Sequence, residues 1–355
     1  MSNERQTLIS FGFGFVPLWR RLLSAKFKVI VLTIFLFSVS IYLADAVIAQ
    51  SEGEENQHDL LLSDGGGADN GIVVVRDLNA ALEAFGKRLG FNIKASGKFP
   101  DGIENSVVYF KTGMYLEFLG VFDRIKAKDT PEVKFLESYE GAIGMALEIP
   151  SADRAANRLI KRGFEINGPN RYPPGTVGQQ PQNWLWRTVK FKKPEMPGGD
   201  VFFIEYKESL EQLRSKNPQK YAASRTHPNT AEKVQAVWIA VKNLDSAVKI
   251  YESIGLKAGN QVSFSKLKAK GREIIVGESL IVLLEADGRG KAASFLKQRG
   301  ESIMGVSIKV GDLNTAKKMI EINLKQRIKT YKGAYGKSLL APFEETHGIW
   351  VELYQ

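Results

Sequence analysis

The sequence predicts an α+β fold built from four copies of one βαβββ unit, paired into two domains. Three observations carry this. Four stretches align with one another: GIVVVRDLNAALEAFGKRLGF from Gly71, GMALEIPSADRAANRLIKRGF from Gly144, VWIAVKNLDSAVKIYESIGL from Val237 and GVSIKVGDLNTAKKMIEINL from Gly305, and self-similarity of this kind marks a repeated supersecondary unit. Each stretch is followed by further strand-like runs, the last being MYLEFLGV from Met114, VFFIEYK from Val201, LIVLLEA from Leu280 and IWVELYQ from Ile349. Between the second and third units lies a polar, helix-prone linker from Lys207 to Lys233 containing Asn217-Pro218 and His227-Pro228, so units one and two pair, as do three and four.

Within each unit the elements follow from local chemistry. An apolar, β-branched run of strand length opens it. A helix N-cap comes next, Asp77, Ser151, Asn243 or Asp312, whose side-chain oxygen can accept an otherwise unpaired amide of the first turn. Four residues on stands an alanine each time: Ala81, Ala155, Ala247 and Ala316. The helices are expected to stop near Gly90, Gly163, Gly255 and, with Asn in place of Gly, Asn323, since both residues tolerate the left-handed conformation that ends a helix. The expected boundaries are 68–207 for domain 1, 208–233 for the linker and 234–355 for domain 2.

The N-terminus points to export. Arg20-Arg21, Lys26 and Lys28 precede an uncharged run from Val29 to Ala44, and small residues follow through Ala49. That order is the order of a signal peptide, and sixteen uncharged residues are short of the roughly 20 a spanning helix needs. Residues 1–49 are therefore read as a signal peptide or, if uncleaved, an N-terminal anchor, which would be the only contact with a membrane. Residues 50–67, acidic and glycine-rich, read as a flexible lead-in. The expected location is periplasmic or extracellular.

Composition narrows the chemistry. With 44% hydrophobic and 25% charged residues over 355 positions, the chain is that of a globular protein. The formal net charge of +10 is spread along the chain, as on a solvated basic surface. The basic hairpin sequence KLKAKGRE at Lys266 to Glu273 has no interleaved aromatics, so nucleic-acid binding is not expected. The absence of cysteine excludes thiol nucleophiles, thiolate metal sites and disulfides. Three histidines, His58, His227 and His347, are too scattered for a ligand set and read as structural or surface residues. No nucleophile elbow, phosphate loop or dinucleotide fingerprint is present.

The run DNGIVVVRDLNAALEAF, the strand pair ENSVVYF…YLEFL, the closing GGDVFFIEYK and the HPN at His227 resemble the glyoxalase-like branch of the vicinal-oxygen-chelate superfamily, from about Ala68 to Gln355. The resemblance implies two units joined in a curved sheet that cups a ligand, with helices outside. It also implies a divalent ion held by His or Glu from the first and last strands of each unit. Here the first-strand positions hold Asn70, Gly144, Ala236 and Gly305, not histidine.

Strand alternation groups Tyr115 with Glu117, Phe203 with Glu205, and Trp350 with Glu352 and Tyr354 as inward-facing sets. Glu285, at an odd offset from Val282, falls on the opposite face. Glu117 and Glu205 are thus the candidate catalytic residues. Asn70, Asn105, Tyr115, Tyr172, Trp186 and Glu352 are the candidate ligand-binding residues. Tyr172 lies in the Pro/Gly-rich loop Gly168 to Gln182, read as a lid or binding loop. Glu117, Glu205 and Asn70 would suit a hard ion such as Mg²⁺ or Ca²⁺ better than zinc or iron, and the family's usual metal is expected to be absent. Three readings remain: a small-molecule binding protein, a lyase, isomerase or dioxygenase-type enzyme acting on a carbonyl- or hydroxyl-bearing compound, or a structural or interaction module in which domain 2 supports domain 1 or a partner. Domain 2 is expected to be the degenerate half.

Overall fold

In a computed structural model, residues 60–112, 114–173 and 184–355 are described. Residues 1–49, read from the sequence as a signal peptide or anchor, and most of the Pro/Gly loop lie outside the described residues. No helix among the described residues is long and apolar enough to cross a membrane.

Unit one comprises β1 (Gly67–Val74), α1 (Leu78–Leu82, running on as a π-helical turn over Glu83–Arg88), β2 (Lys94–Lys98), β3 (Ile103–Tyr109) and β4 (Tyr115–Val121). A connecting helix, α2 (Pro131–Ser138), leads to unit two: β5 (Gly141–Glu148), α3 (Ala152–Lys161), β6 (Ile166–Tyr172), β7 (Trp186–Phe191) and β8 (Asp200–Tyr206). The linker forms α4 (Leu210–Lys216) and α5 (Pro218–Ser224). Unit three is β9 (Ala231–Val241), α6 (Leu244–Ser253), β10 (Lys257–Phe264), β11 (Ala269–Val276) and β12 (Ser279–Ala286), followed by α7 (Lys291–Arg299). Unit four is β13 (Ile303–Val310), α8 (Leu313–Leu324), β14 (Thr330–Lys332), β15 (Lys337–Leu340) and β16 (Trp350–Tyr354).

Two eight-stranded sheets result, in the orders β2-β3-β4-β1-β5-β8-β7-β6 and β10-β11-β12-β9-β13-β16-β15-β14. In each unit the first strand pairs parallel with the last, as in β1 with β4 and β5 with β8, because the helix returns the chain before the remaining strands are laid down. Units join through their first strands, β1 antiparallel to β5 and β9 antiparallel to β13. The pairing of units one with two and three with four is thereby shown.

All four expected caps accept a first-turn amide: Asp77 from Ala80, Ser151 from Arg154, Asn243 from Ser246, and Asp312 from Asn314 and Thr315. The four alanines are 0–3% exposed; their small size lets each helix approach its sheet closely. Gly90, Gly163 and Gly255 have φ of 79°, 88° and 93°. In unit four the helix instead runs to Leu324 and Lys325 takes the left-handed conformation, φ 51°. Asn323 stays helical, its amide donating to the carbonyls of Lys87 and Arg88 across the domain boundary.

The lead-in differs from expectation at its end. Leu61 is 2% exposed and its amide donates to the Gly255 carbonyl at 2.8 Å, so the chain is tied down before β1 begins. His227 is also structural: buried, it accepts from the Asn92 amide at 2.9 Å and its other ring nitrogen lies 2.8 Å from the Tyr109 carbonyl. Burial lowers its pKa to about 4, keeping the imidazole neutral.

One apolar core, including Phe85, Phe118, Leu147, Phe203, Ile239, Tyr251, Ile281 and Leu353, runs through the helix-facing sides of both sheets. The other face of each sheet is a cup. In domain 1, Leu136 and Phe135 of α2 pack there on Val74, Ile103 and Leu119. In domain 2, Phe295 of α7 packs on Trp238, Val282 and Leu284.

Candidate functional site

The polar part of the domain 1 cup is centred on the N-terminal half of β1. Asn70 and Tyr115 are register partners on β1 and β4, and Asn105 on β3 lies opposite Leu119. Alternation turns Asn70, Asn105, Tyr115 and Glu117 toward the cup. Glu117 accepts from the Asn70 amide at 2.8 Å on one oxygen and from the Asn105 amide at 2.7 Å on the other. Burial raises the Glu117 pKa, and the two amide hydrogen bonds oppose the rise. The Asn70 side-chain oxygen is buried and has no hydrogen-bond partner among the described residues.

A second chain of polar groups adjoins this clamp. The Tyr206 hydroxyl donates to Asp69 at 2.9 Å, and the Tyr115 and Tyr206 hydroxyls are 3.4 Å apart. Asp69 is 7% exposed. Burial pushes its carboxyl up to about 8; the Tyr206 hydrogen bond opposes this, while the charges of Glu148 and Glu117 add to it. Glu148 is half-buried and its pKa is likewise raised by burial. None of these three carboxyl groups has a Lys or Arg ion-pair partner among the described residues. Beside them, Tyr172 stacks on Trp186 at 4.1 Å, with Phe99 edge-on to Tyr172, and Trp186 and Tyr206 pack with Ile72, Ala146, Phe202 and Ile204.

Glu205 does not belong to this site. The parallel register sets Ala146 opposite Phe202 and Glu148 opposite Ile204, so Phe202, Ile204 and Tyr206 face the cup while Val201, Phe203 and Glu205 face the helices. There Glu205 accepts from Arg187 Nε at 2.8 Å and from the Ala152 amide, the first residue of α3, at 3.0 Å. Glu285 takes the amide of Leu244 at 2.9 Å and Gln355 that of Leu313 at 3.0 Å in the same way. In three units, then, a residue at the end of the last strand fastens the start of the unit's helix. Unit one has Gly120 at this position, where an added Cβ would lie 2.8 Å from Leu78 Cβ. The expected pairing of Glu117 with Glu205 was an error of register: VFFI is apolar on both faces, so alternation could not choose between them.

This arrangement does not fit the family's metal. Donors are needed from the first and last strands of both units, but in unit two those positions are Gly144 and Phe202, which have none. In unit one, Glu117 already receives two amide N–H donors. No group of three His, Cys, Asp or Glu side chains suited to an ion occurs among the described residues. The ion site expected from Glu117, Glu205 and Asn70 does not form.

In domain 2 the cup is filled. Glu352 faces inward as expected but is fully buried, accepting from Ser307 Oγ at 2.6 Å and the Tyr331 hydroxyl at 2.6 Å. Ser307 in turn accepts from Trp238 Nε1 at 3.0 Å. Trp238, Phe264 and Phe295 occupy the remaining space. Glu285 lies on the helix face, as its offset implies.

The structure brings together Asn70, Asn105, Tyr115 and Glu117, places Tyr172 and Trp186 beside them, and removes Glu205 and Glu352. Sequence reasoning missed Asp69, Glu148 and Tyr206. Pairing of β1 with β5 slips between Ala68 and Asn70; this bulge lets the adjacent Asp69 and Asn70 both serve the cup, against simple alternation. Tyr206 was lost through the same register error that misplaced Glu205.

A glyoxalase-like domain family model matches residues 71–255. No curated protein matches significantly. Among solved structures, a hypothetical protein from Staphylococcus aureus aligns at TM-score 0.53 with 16% identity over 81% of this chain and 98% of that one. A mutant of 4-hydroxymandelate synthase from Streptomyces coelicolor aligns at TM-score 0.54 with 14% identity over 81% and 92%. These two likenesses bear on the fold alone. With its paired βαβββ units and a matching model over more than half its length, the chain belongs to the glyoxalase-like domain family.

Proposed function

We propose that this protein binds a small organic cation, an amine or quaternary ammonium compound with an apolar body, in the cup of domain 1 and without a metal. One observation carries the reading: Asp69, Glu117 and Glu148 lie close together and at least half-buried on the cup face of domain 1, and among the described residues no cationic side chain is paired to any of them. Burial holds them toward their protonated forms, and an ammonium group is the ligand that would let them ionise. The aromatic rings of Tyr115, Tyr206 and Trp186 suit the same ligand, since an aromatic face attracts a cation, and the Tyr172–Trp186 pair borders the cup for an apolar portion. We further propose that it does so outside the cytoplasm, on the basic, apolar and small-residue order of residues 20–49. The metal-dependent enzyme reading is not favoured, because Glu117 and Glu205 point to opposite faces of the sheet.

The experiment is calorimetric titration of the chelator-treated protein with phenethylammonium and benzyltrimethylammonium at pH 6 and pH 8. The reading predicts saturable binding that tightens toward pH 8, with proton release in buffers of different ionisation enthalpy. Binding that requires an added divalent ion, or that weakens toward pH 8, overturns it. N-terminal sequencing of the exported protein tests the second proposal: a start at Gln50 supports it, and recovery of the intact chain from the cytoplasm refutes it.

A further inference from the structure

Domain 2, whose inner cup is filled, has a groove at the mouth of that cup. It encloses about 410 Å³ and is lined by Lys266, Lys291, Arg327 and Lys329, with Phe343 and Trp350 among its apolar walls. Its size lies within the roughly 300–1,000 Å³ of small-molecule sites. Lys266 comes from the turn between β10 and β11, Lys291 from the start of α7, and Arg327 and Lys329 from the segment between α8 and β14. Four basic side chains from three separate parts of the chain therefore converge on one hollow.

None of the four makes a salt bridge among the described residues, and the groove contains one acidic residue, Glu344. The nearby Glu321 is occupied elsewhere, accepting from Lys317 Nζ at 2.7 Å and from the Ile328 amide at 2.8 Å. The aromatic wall is built: Phe343 and Trp350 rings lie 4.5 Å apart, and Lys291 Nζ sits 4.3 Å from the Trp350 ring centre. Ile328, 8% exposed, adds an apolar surface.

We infer that this groove is a second ligand site, selective for an organic anion that joins a negatively charged head group to a flat apolar body. The cations would meet the head group, Arg327 by its planar fork, while the Phe343–Trp350 wall takes the body. The two halves of the protein would then hold ligands of opposite charge: domain 1 with carboxyl groups, domain 2 with lysines and an arginine.

The test uses 1-naphthyl phosphate as probe, titrated calorimetrically into the full mature chain. One saturable site is expected, with affinity falling as salt is raised. Lys266 and Arg327 are exposed, so Lys266→Gln and Arg327→Gln leave the fold intact; each is expected to weaken binding about tenfold. Neutral 1-naphthol and inorganic phosphate, each lacking half of the recognised chemistry, are both expected to bind at least about tenfold more weakly. Glu117→Gln leaves naphthyl phosphate binding unchanged. Absence of saturable binding, or equal binding by the Lys266→Gln/Arg327→Gln double variant, overturns the inference.

Discussion

Replacing Asp69 with Asn removes one ionisable group while keeping its shape and an oxygen that can still accept from Tyr206. The carboxyl titrates near 3.8 in an unfolded chain and near 8 in the fold, chiefly because it is buried. Between those values the unfolded chain has released a proton that the folded protein retains. The folded state is therefore penalised as pH rises, by about 1.4 kcal/mol per unit. From pH 4 to pH 8 the wild type loses of order 5 kcal/mol that the variant keeps. Urea denaturation of both proteins at pH 4.5, 6 and 7.5 measures it. Asp69→Asn should be progressively more stable than wild type as pH rises, with the gap small at pH 4.5. Parallel stability profiles would refute the reasoning, because they would mean Asp69 titrates alike in the folded and unfolded chains.

Other substitutions separate the roles of the glutamates. Glu205→Gln replaces the charge that meets Arg187 and should cost about 1–3 kcal/mol of stability, seen as a lower urea midpoint, while cation binding stays within about twofold of wild type. Glu352→Ala leaves the Ser307 and Tyr331 hydroxyls without their acceptor in a filled interior. It should cost about 3 kcal/mol or more and leave domain 1 binding intact. His227→Ala removes contacts with the Asn92 amide and the Tyr109 carbonyl. A loss of about 1–3 kcal/mol is expected, with little pH dependence between 6 and 8, since the ring is already neutral there; a steep dependence in that range would contradict its assignment as a neutral structural residue.

The fold was legible because its signals are local and repeated. A cap such as Asn243, an alanine such as Ala247 and a stop such as Gly255 each act within a few residues, and four repetitions reinforce one another. Unit four shows the limit: Asn323 reads as a stop, yet a contact with the neighbouring domain uses its side chain and the turn moves to Lys325. The site was legible only in part. Glu117 lies in YLEFL, where polar and apolar side chains alternate, so its face can be read, whereas GADNGIVV and IENSVVY around Asn70 and Asn105 do not alternate. Glu205 lies in VFFIEYK, where both faces are buried and the register depends on pairing with β5, a property of the assembled sheet. Asp69 required a bulge that nothing in GGADNG announces. The groove of domain 2 draws on three distant segments, and no spacing in the sequence connects Lys266 to Arg327.

The central claim is that the ligand cup of domain 1 is built around Glu117 and excludes Glu205. Calorimetric titration of benzyltrimethylammonium into wild type, Glu117→Gln and Glu205→Gln at pH 8 tests it most directly. The account predicts that Glu117→Gln binds at least about tenfold more weakly and Glu205→Gln binds like wild type. Loss of binding in Glu205→Gln with Glu117→Gln unaffected would contradict it.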